Sequence, residues 1–98
     1  MRYEFSSEVT RWNSRDDSWY FAHVPPEQSE ELRALPIPRR GFGSLRVQVT
    51  LGSTTWTTSV FPDGDGRYSL PLKREVRRRE AIEPGDVITL GIELLDLA

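Results

Sequence analysis

The sequence has no cysteine and only one histidine among its 98 residues. Without cysteine the chain cannot form disulfides, thiolate zinc sites or a thiol nucleophile. A single histidine also leaves little material for a histidine-ligated metal. We therefore expect neither a metal nor a cofactor.

Long apolar runs and an excess of charge of one sign are also missing. Hydrophobic residues make up 37% of the chain, and 13 Lys+Arg against 15 Asp+Glu leave a formal net charge of −2. The apolar runs are too short for a membrane span, and the charged residues 1–4 lead into no signal-peptide core. The balance of charges excludes a generally basic nucleic-acid-binding protein and an acidic disordered tail. We expect a cytoplasmic protein.

What the sequence does contain is a series of strand patterns that fits one domain over residues 1–98. Alternation of apolar and polar residues predicts six strands: Tyr3–Thr10, Trp19–Val24, Leu45–Leu51, Thr54–Phe61, Arg67–Leu70 and Val87–Leu95. The second strand is aromatic on both faces, which predicts deep burial. Two helix-forming segments, Glu27–Leu35 and Leu72–Ala81, predict short helices, and Asn13–Ser18 is rich in turn residues.

The two halves of the chain repeat the same order of elements. In residues 3–51 and again in residues 54–95, a strand precedes a second strand that ends at Pro25 or Pro71, followed by a helix, a turn and a third strand. One such unit cannot cover the apolar face of its own strands, whereas two can close a sheet. The repeat predicts a mainly β fold, a single-chain pseudo-twofold barrel of about six strands with two short helices.

The second repeat also carries a resemblance to known families. Residues 68–77 and 82–88, with the Pro84-Gly85-Asp86 turn before Val87, resemble the strand–Pro–helix–turn segment of AbrB/MazE/SpoVT-type double-split β-barrels. The wider span 43–96 resembles an uncharacterised bacterial family of domains of unknown function, sometimes found beside YdeI-like (OmpD-associated) segments. The resemblance implies a double-split barrel, and no established activity or site residues come with it.

The predicted second helix concentrates positive charge. Five cationic side chains lie close together there: Lys73, Arg74, Arg77, Arg78 and Arg79. Because Arg77 and Arg78 lie three and four residues after Arg74, they share a helix face with it, and the three are candidates for binding an anion through their planar guanidinium groups. A solvated helix face is the more ordinary interpretation, and a pairing of Arg77 with Glu93 is a structural alternative.

Tryptophan is the second candidate feature. Trp12, Trp19 and Trp56 are either part of the core or the lining of an apolar cavity. Combined with the basic helix, they give the candidate ligand-binding set Arg74, Arg77, Arg78, Trp19 and Trp56.

A candidate nucleic-acid contact lies in the middle of the chain. Arg39 and Arg40 precede the flexible, aromatic Gly41-Phe42-Gly43, and Lys73 adds a further cation. A plain loop is the simpler interpretation, since the first half of the chain has balanced charge.

Two weaker chemical signals remain. His23 shares a strand face with Trp19 and Phe21; it is either a packed strand histidine or a general base, and the second requires a carboxylate within hydrogen-bond reach in a cleft. Asp63-Gly64-Asp65-Gly66 lacks the remaining ligands of a calcium loop and is interpreted as a hairpin connection.

These observations favour a non-catalytic module of unknown function that binds an anionic or aromatic small ligand or a protein partner, as a monomer or weak dimer. The alternative is a nucleic-acid-binding protein of the AbrB-like barrel type. We do not expect an enzyme.

Overall fold

The computed structural model describes residues 1–13 and 18–95. It is a mainly β fold in which six antiparallel strands close into a barrel. The strands are β1 (Arg2–Asn13), β2 (Ser18–His23), β3 (Leu45–Leu51), β4 (Thr54–Pro62), β5 (Tyr68–Pro71) and β6 (Val87–Leu94). The helices are α1 (Pro26–Ala34) and α2 (Arg74–Arg79), and a short 3-10 turn spans Gly41–Gly43. The predicted fold class is confirmed.

The order of strands around the barrel has the symmetry that the repeat predicts. The order is β1-β2-β5-β4-β3-β6, and β6 pairs with β1 to close it. Exchanging β1, β2 and β3 for β4, β5 and β6 converts every neighbouring pair into another neighbouring pair. The two halves therefore occupy equivalent places in the sheet.

The pseudo-twofold axis passes between β2 and β5, where Ala22 lies opposite Leu70. Hydrogen bonds on either side of this pair are equivalent: the Val24 amide donates to the Tyr68 carbonyl, and the Leu72 amide donates to the Tyr20 carbonyl, both at 2.8 Å. The helices α1 and α2 follow these two strands in the same way.

The inward faces of the strands fill the barrel with aliphatic side chains. β3 alternates buried and exposed residues along its whole length, which is the pattern of a strand with one face toward a core. Burial of this apolar surface is the main force that stabilises the fold. Fully buried side chains come from all parts of the chain: Val9, Val24, Leu32, Leu45, Val47, Val49, Val60, Leu70, Leu90 and Ile92.

Helix α1 packs against the core through Leu32 and is held at both ends. Pro26 occupies its first turn, where a missing amide hydrogen has no cost. The buried Ser29 hydroxyl donates to the Val24 carbonyl and accepts from the Tyr68 amide, both at 3.0 Å. At the other end Arg39 donates to the carbonyls of Leu32, Arg33 and Leu35, at the helix terminus where carbonyls run out of intrahelical amide partners; the Leu32 carbonyl also accepts from the Leu35 amide.

Helix α2 is shorter than predicted at both ends. Lys73 is extended, and the Leu72 amide before it still bonds to Tyr20 on β2. At the C-terminus Ala81 has φ of 52°, and the Ile82 amide bonds back to the Arg77 carbonyl. The helix therefore ends at a single residue in the left-handed conformation, a common form of helix C-terminus.

The prediction that β2 is deeply buried is wrong. Only Ala22 is buried within β2, because the other face of the strand lies on the outside of the barrel. β1 extends to Asn13, so the β1–β2 hairpin is longer than predicted. The predicted turn over 13–18 falls mostly on residues 14–17, outside the described residues.

Within the described ranges, no helix has the length and apolar character needed to cross a membrane.

Candidate ligand-binding groove

An open groove, the aromatic groove, lies on the outer surface where β1, β2, β5 and the end of β4 meet. Its volume is about 800 Å³. Aromatic rings and prolines supply most of the wall, and a few polar side chains lie among them. The lining residues are Thr10, Arg11, Trp12, Trp19, Phe21, His23, Phe61, Pro62, Asp63, Ser69 and Pro71.

Strand alternation explains why aromatic side chains face outward here. Ala22 is on the inward face of β2, so its neighbours Phe21 and His23 point out. Trp12 and Trp19 lie opposite each other at the far end of the β1–β2 hairpin and are 60% and 49% exposed. The Trp19 and Phe21 rings stack with centroids 6.5 Å apart and planes 13° from parallel. The result is a flat apolar surface open to solvent.

A polar cluster interrupts this apolar wall around His23. His23 Nδ1 lies 3.1 Å from Ser69 Oγ and 3.3 Å from Asp63 Oδ2. The Ser69 hydroxyl donates to the same carboxylate oxygen at 2.8 Å. On the other side of the ring, His23 Nε2 lies 3.5 Å from Thr10 Oγ1. Four neighbouring elements thus meet at one imidazole.

The turn between β4 and β5 fixes the Asp63 carboxylate. Asp63 Oδ1 accepts from the amides of Asp65 and Arg67 at 3.2 and 3.3 Å. Arg67 also binds the Asp65 carboxylate, with Nη2 to Oδ2 at 2.7 Å. This guanidinium holds the pKa of Asp65 far below its usual value, and Asp65 in turn raises the pKa of Arg67. Arg33 of α1 donates to the Gly66 carbonyl, which ties the turn to the helix.

Basic side chains lie along one edge of the groove; we call Lys73, Arg74 and Arg77 the basic rim. They line a depression together with Trp19 and Pro71, and both of these residues also line the aromatic groove. The two depressions therefore share a wall at Trp19.

Arg77 is held in place by an aromatic ring. Its guanidinium lies 3.6 Å from the centre of the Tyr20 ring, and its Nε donates to the Leu72 carbonyl at 3.1 Å. Such a cation–π contact orients an arginine without neutralising its charge. The structure shows this contact in place of the alternative pairing with Glu93.

Of the five side chains predicted to bind a ligand, the structure brings four to this region. Trp19 lies between the groove and the basic rim, and Arg78 lines an adjacent depression with Arg74 and Arg77. Trp56 lies elsewhere: it is a half-buried residue of β4 that packs against the core.

The candidate nucleic-acid residues are not gathered in the same way. Arg39 uses its guanidinium to bind the C-terminus of α1. Arg39 and Arg40 line one depression with Gly41, while Lys73 belongs to the basic rim.

The structure supplies the carboxylate that a general-base role for His23 requires, since Asp63 is within reach in an open groove. In a nucleophile–His–Asp relay the hydroxyl and the carboxylate contact different nitrogens of the imidazole ring. Here Ser69 and Asp63 both contact Nδ1, so the arrangement is not such a relay. No group of three or more metal-ligating side chains is found in residues 1–13 and 18–95.

Sequence reasoning missed Asp63 and Ser69 as members of the site. The sequence marks Asp63 as a residue of a hairpin connection, and nothing in its local sequence indicates contact with a strand 40 residues earlier. Trp12 lines the groove, although the predicted set contains only Trp19 and Trp56. The available signal was parity: if Ala22 and Val24 face the core, Trp19, Phe21 and His23 face out.

The structure defines the class of protein: a small, closed, antiparallel β-barrel domain with a solvent-exposed aromatic groove. The chain matches the family described as a domain of unknown function, DUF1905, over residues 5–92, and it belongs to that family. This confirms the expected membership of an uncharacterised domain family. A comparison with curated proteins gave no match.

Proposed function

We propose that the protein is a non-catalytic binding module whose ligand is a small molecule with a flat aromatic group and an anionic group. The aromatic groove takes the flat group, and the basic rim takes the anion. The observation that carries the proposal is the shared wall at Trp19, which lines both depressions.

The apolar half of the proposal rests on exposed aromatic surface. Large aromatic side chains on the outside of a barrel leave apolar area in contact with water, and such patches mark binding surfaces. Trp12, Trp19, Phe21 and Phe61 line one groove here. Its volume of about 800 Å³ falls within the usual range of small-ligand sites, roughly 300–1,000 Å³.

The anionic half rests on the arginines beside that groove. A guanidinium presents planar donors that fit a carboxylate or phosphate. Arg77 is fixed on the Tyr20 ring, and Arg74 lines the same depression from the start of α2. A ligand ring stacked on Trp19 is thereby close to two cationic groups.

Calorimetric titration with indole-3-acetate and its neutral analogue indole-3-acetamide tests the proposal. We expect the acetate to bind more tightly. Trp19→Ala weakens both ligands about tenfold, since an aromatic contact contributes roughly 0.5–1.5 kcal/mol beyond area burial. Arg74→Gln weakens only the acetate, by about two- to fivefold, as an exposed ion pair contributes up to about 1 kcal/mol.

Two variants serve as matched controls. Phe42→Ala removes another exposed aromatic ring, 94% exposed in the 3-10 turn, and Arg46→Gln removes another exposed arginine, on β3. Both should bind as the unaltered protein does. Equal weakening by Trp19→Ala and Phe42→Ala would contradict the proposal.

The nucleic-acid alternative has less support, because Arg39 stabilises α1 and lies in a different depression from Lys73. A protein partner that presents an aromatic and an acidic side chain would use the same surface as the small ligand. Location in the bacterial cytoplasm and a monomeric or weakly dimeric state also stay proposals, based on the sequence.

A further inference from the structure

We propose that His23 makes the aromatic groove selective for ligands whose aromatic group carries an N–H or O–H donor. The inference rests on the proposed function, since it concerns the ligand of the same groove. It follows from which nitrogen of the imidazole ring carries the hydrogen and from which nitrogen lacks a close hydrogen-bond partner in the protein.

The contacts at Nδ1 determine the tautomer of neutral His23. Asp63 Oδ2 and Ser69 Oγ both lie beside Nδ1, and Ser69 uses its own proton in the bond to Asp63. Both neighbours are therefore acceptors toward the ring, so Nδ1 carries the hydrogen. In a neutral imidazole the second nitrogen, Nε2, then has a free lone pair.

The contact at Nε2 is weak by comparison. Thr10 Oγ1 is 3.5 Å from Nε2, at the limit of a hydrogen bond, while the same hydroxyl lies 3.3 Å from the Phe21 carbonyl oxygen. One hydroxyl proton serves one acceptor well, and the carbonyl is the nearer. Since His23 and Thr10 both line the groove, a ligand donor is the better partner for Nε2.

The side chains around His23 come from three elements, and two of these side chains are charged. Asp63 from the β4–β5 turn contacts Nδ1, and Arg11 of β1 lines the same groove; Thr10 and Ser69, from β1 and β5, are neutral.

The experiment compares indole-3-acetate with 1-methylindole-3-acetate, which lacks the indole donor. Each is titrated into the ¹⁵N-labelled protein, and the indole N–H signals of Trp12, Trp19 and Trp56 are followed by NMR. We expect the Trp12 and Trp19 signals to move and the Trp56 signal to stay in place. At pH 8 the unmethylated ligand should bind about fivefold more tightly, the effect of one ordinary hydrogen bond.

His23→Phe keeps a flat ring and removes the acceptor, so both ligands should bind it equally. Arg46→Gln, on the exposed face of β3 and outside the groove lining, is the control and should retain the preference.

The outcomes separate the two proposals. Equal affinity of the two ligands at pH 8, or a preference that persists in His23→Phe, would overturn the role of His23 while groove binding stands. If neither ligand moves the Trp12 and Trp19 signals, groove binding fails, and the role of His23 fails with it.

Discussion

At the scale of single residues, the Asp65–Arg67 pair orders the turn that presents Asp63 to His23. The Arg67 side chain binds the Asp65 carboxylate, and the Arg67 amide binds Asp63. The ionised carboxylate is favoured, which lowers the pKa of Asp65. Its contribution to stability is therefore present above the pKa of the unfolded chain and is lost only as the pH falls through the lower folded-state pKa. Because the pair is on the surface, this contribution is small.

We predict that Arg67→Gln returns the titration midpoint of the Asp65 carboxyl toward about 3.9, the ordinary value for aspartate. The carboxyl carbon signal of Asp65, followed by NMR during acid titration, measures this directly. Arg46→Gln, which removes a cation from β3, should leave the midpoint low. An identical Asp65 midpoint in the unaltered protein and Arg67→Gln would show that the guanidinium is not the cause.

Residue-scale prediction from sequence succeeded where strand parity decides and failed where distant contacts decide. That Trp19, Phe21 and His23 share a face follows from their alternate positions. That Asp63 and Ser69 meet His23 depends on the β2–β5 register, which no local pattern encodes.

At the scale of elements, α2 ends at a position where the backbone is strained. Ala81 has φ of 52°, a left-handed conformation that glycine adopts without steric cost and alanine does not. The helix ends there because Val76 and Ile82 on either side are buried against the core. Packing thus determines where α2 ends, and the left-handed conformation of Ala81 is a steric cost of ending there.

We predict that Ala81→Gly raises the free energy of unfolding by about 0.5–1 kcal/mol, since the relief of strain exceeds the extra entropy of glycine in the unfolded chain. Urea unfolding followed by circular dichroism measures it. Glu30→Gly, within the exposed face of α1, is the opposite control and should lower stability by about 1 kcal/mol. Destabilisation by both substitutions would contradict this account of the helix end.

The elements themselves were largely predictable, and their boundaries were less so. β3 spans the predicted Leu45–Leu51 because its alternation is regular and Gly52 turns the chain after it. The prediction that α2 begins at Leu72 was wrong because the Leu72 amide bonds to β2 instead of entering a helix. Helix propensity depends on the local sequence alone, so it cannot predict that the Leu72 amide bonds to a distant strand.

At the scale of the whole molecule, the aromatic groove lies across the pseudo-twofold axis. Phe21 pairs with Pro71 and His23 with Ser69, and exchange of the two halves turns one pair into the other. The first half supplies the tryptophans and His23, and the second half supplies Asp63, Ser69 and the basic rim. The repeat was visible in the sequence, whereas the joint site was not, since it exists only once the halves interlock.

The central claim is that the aromatic groove is a ligand site, and intermolecular nuclear Overhauser effects test it most directly. With indole-3-acetate bound at saturation, the account predicts contacts from the ligand ring protons to the Trp19 and Phe21 rings and none to the Trp56 ring. Contacts to Trp56 without contacts to Trp19 would contradict it.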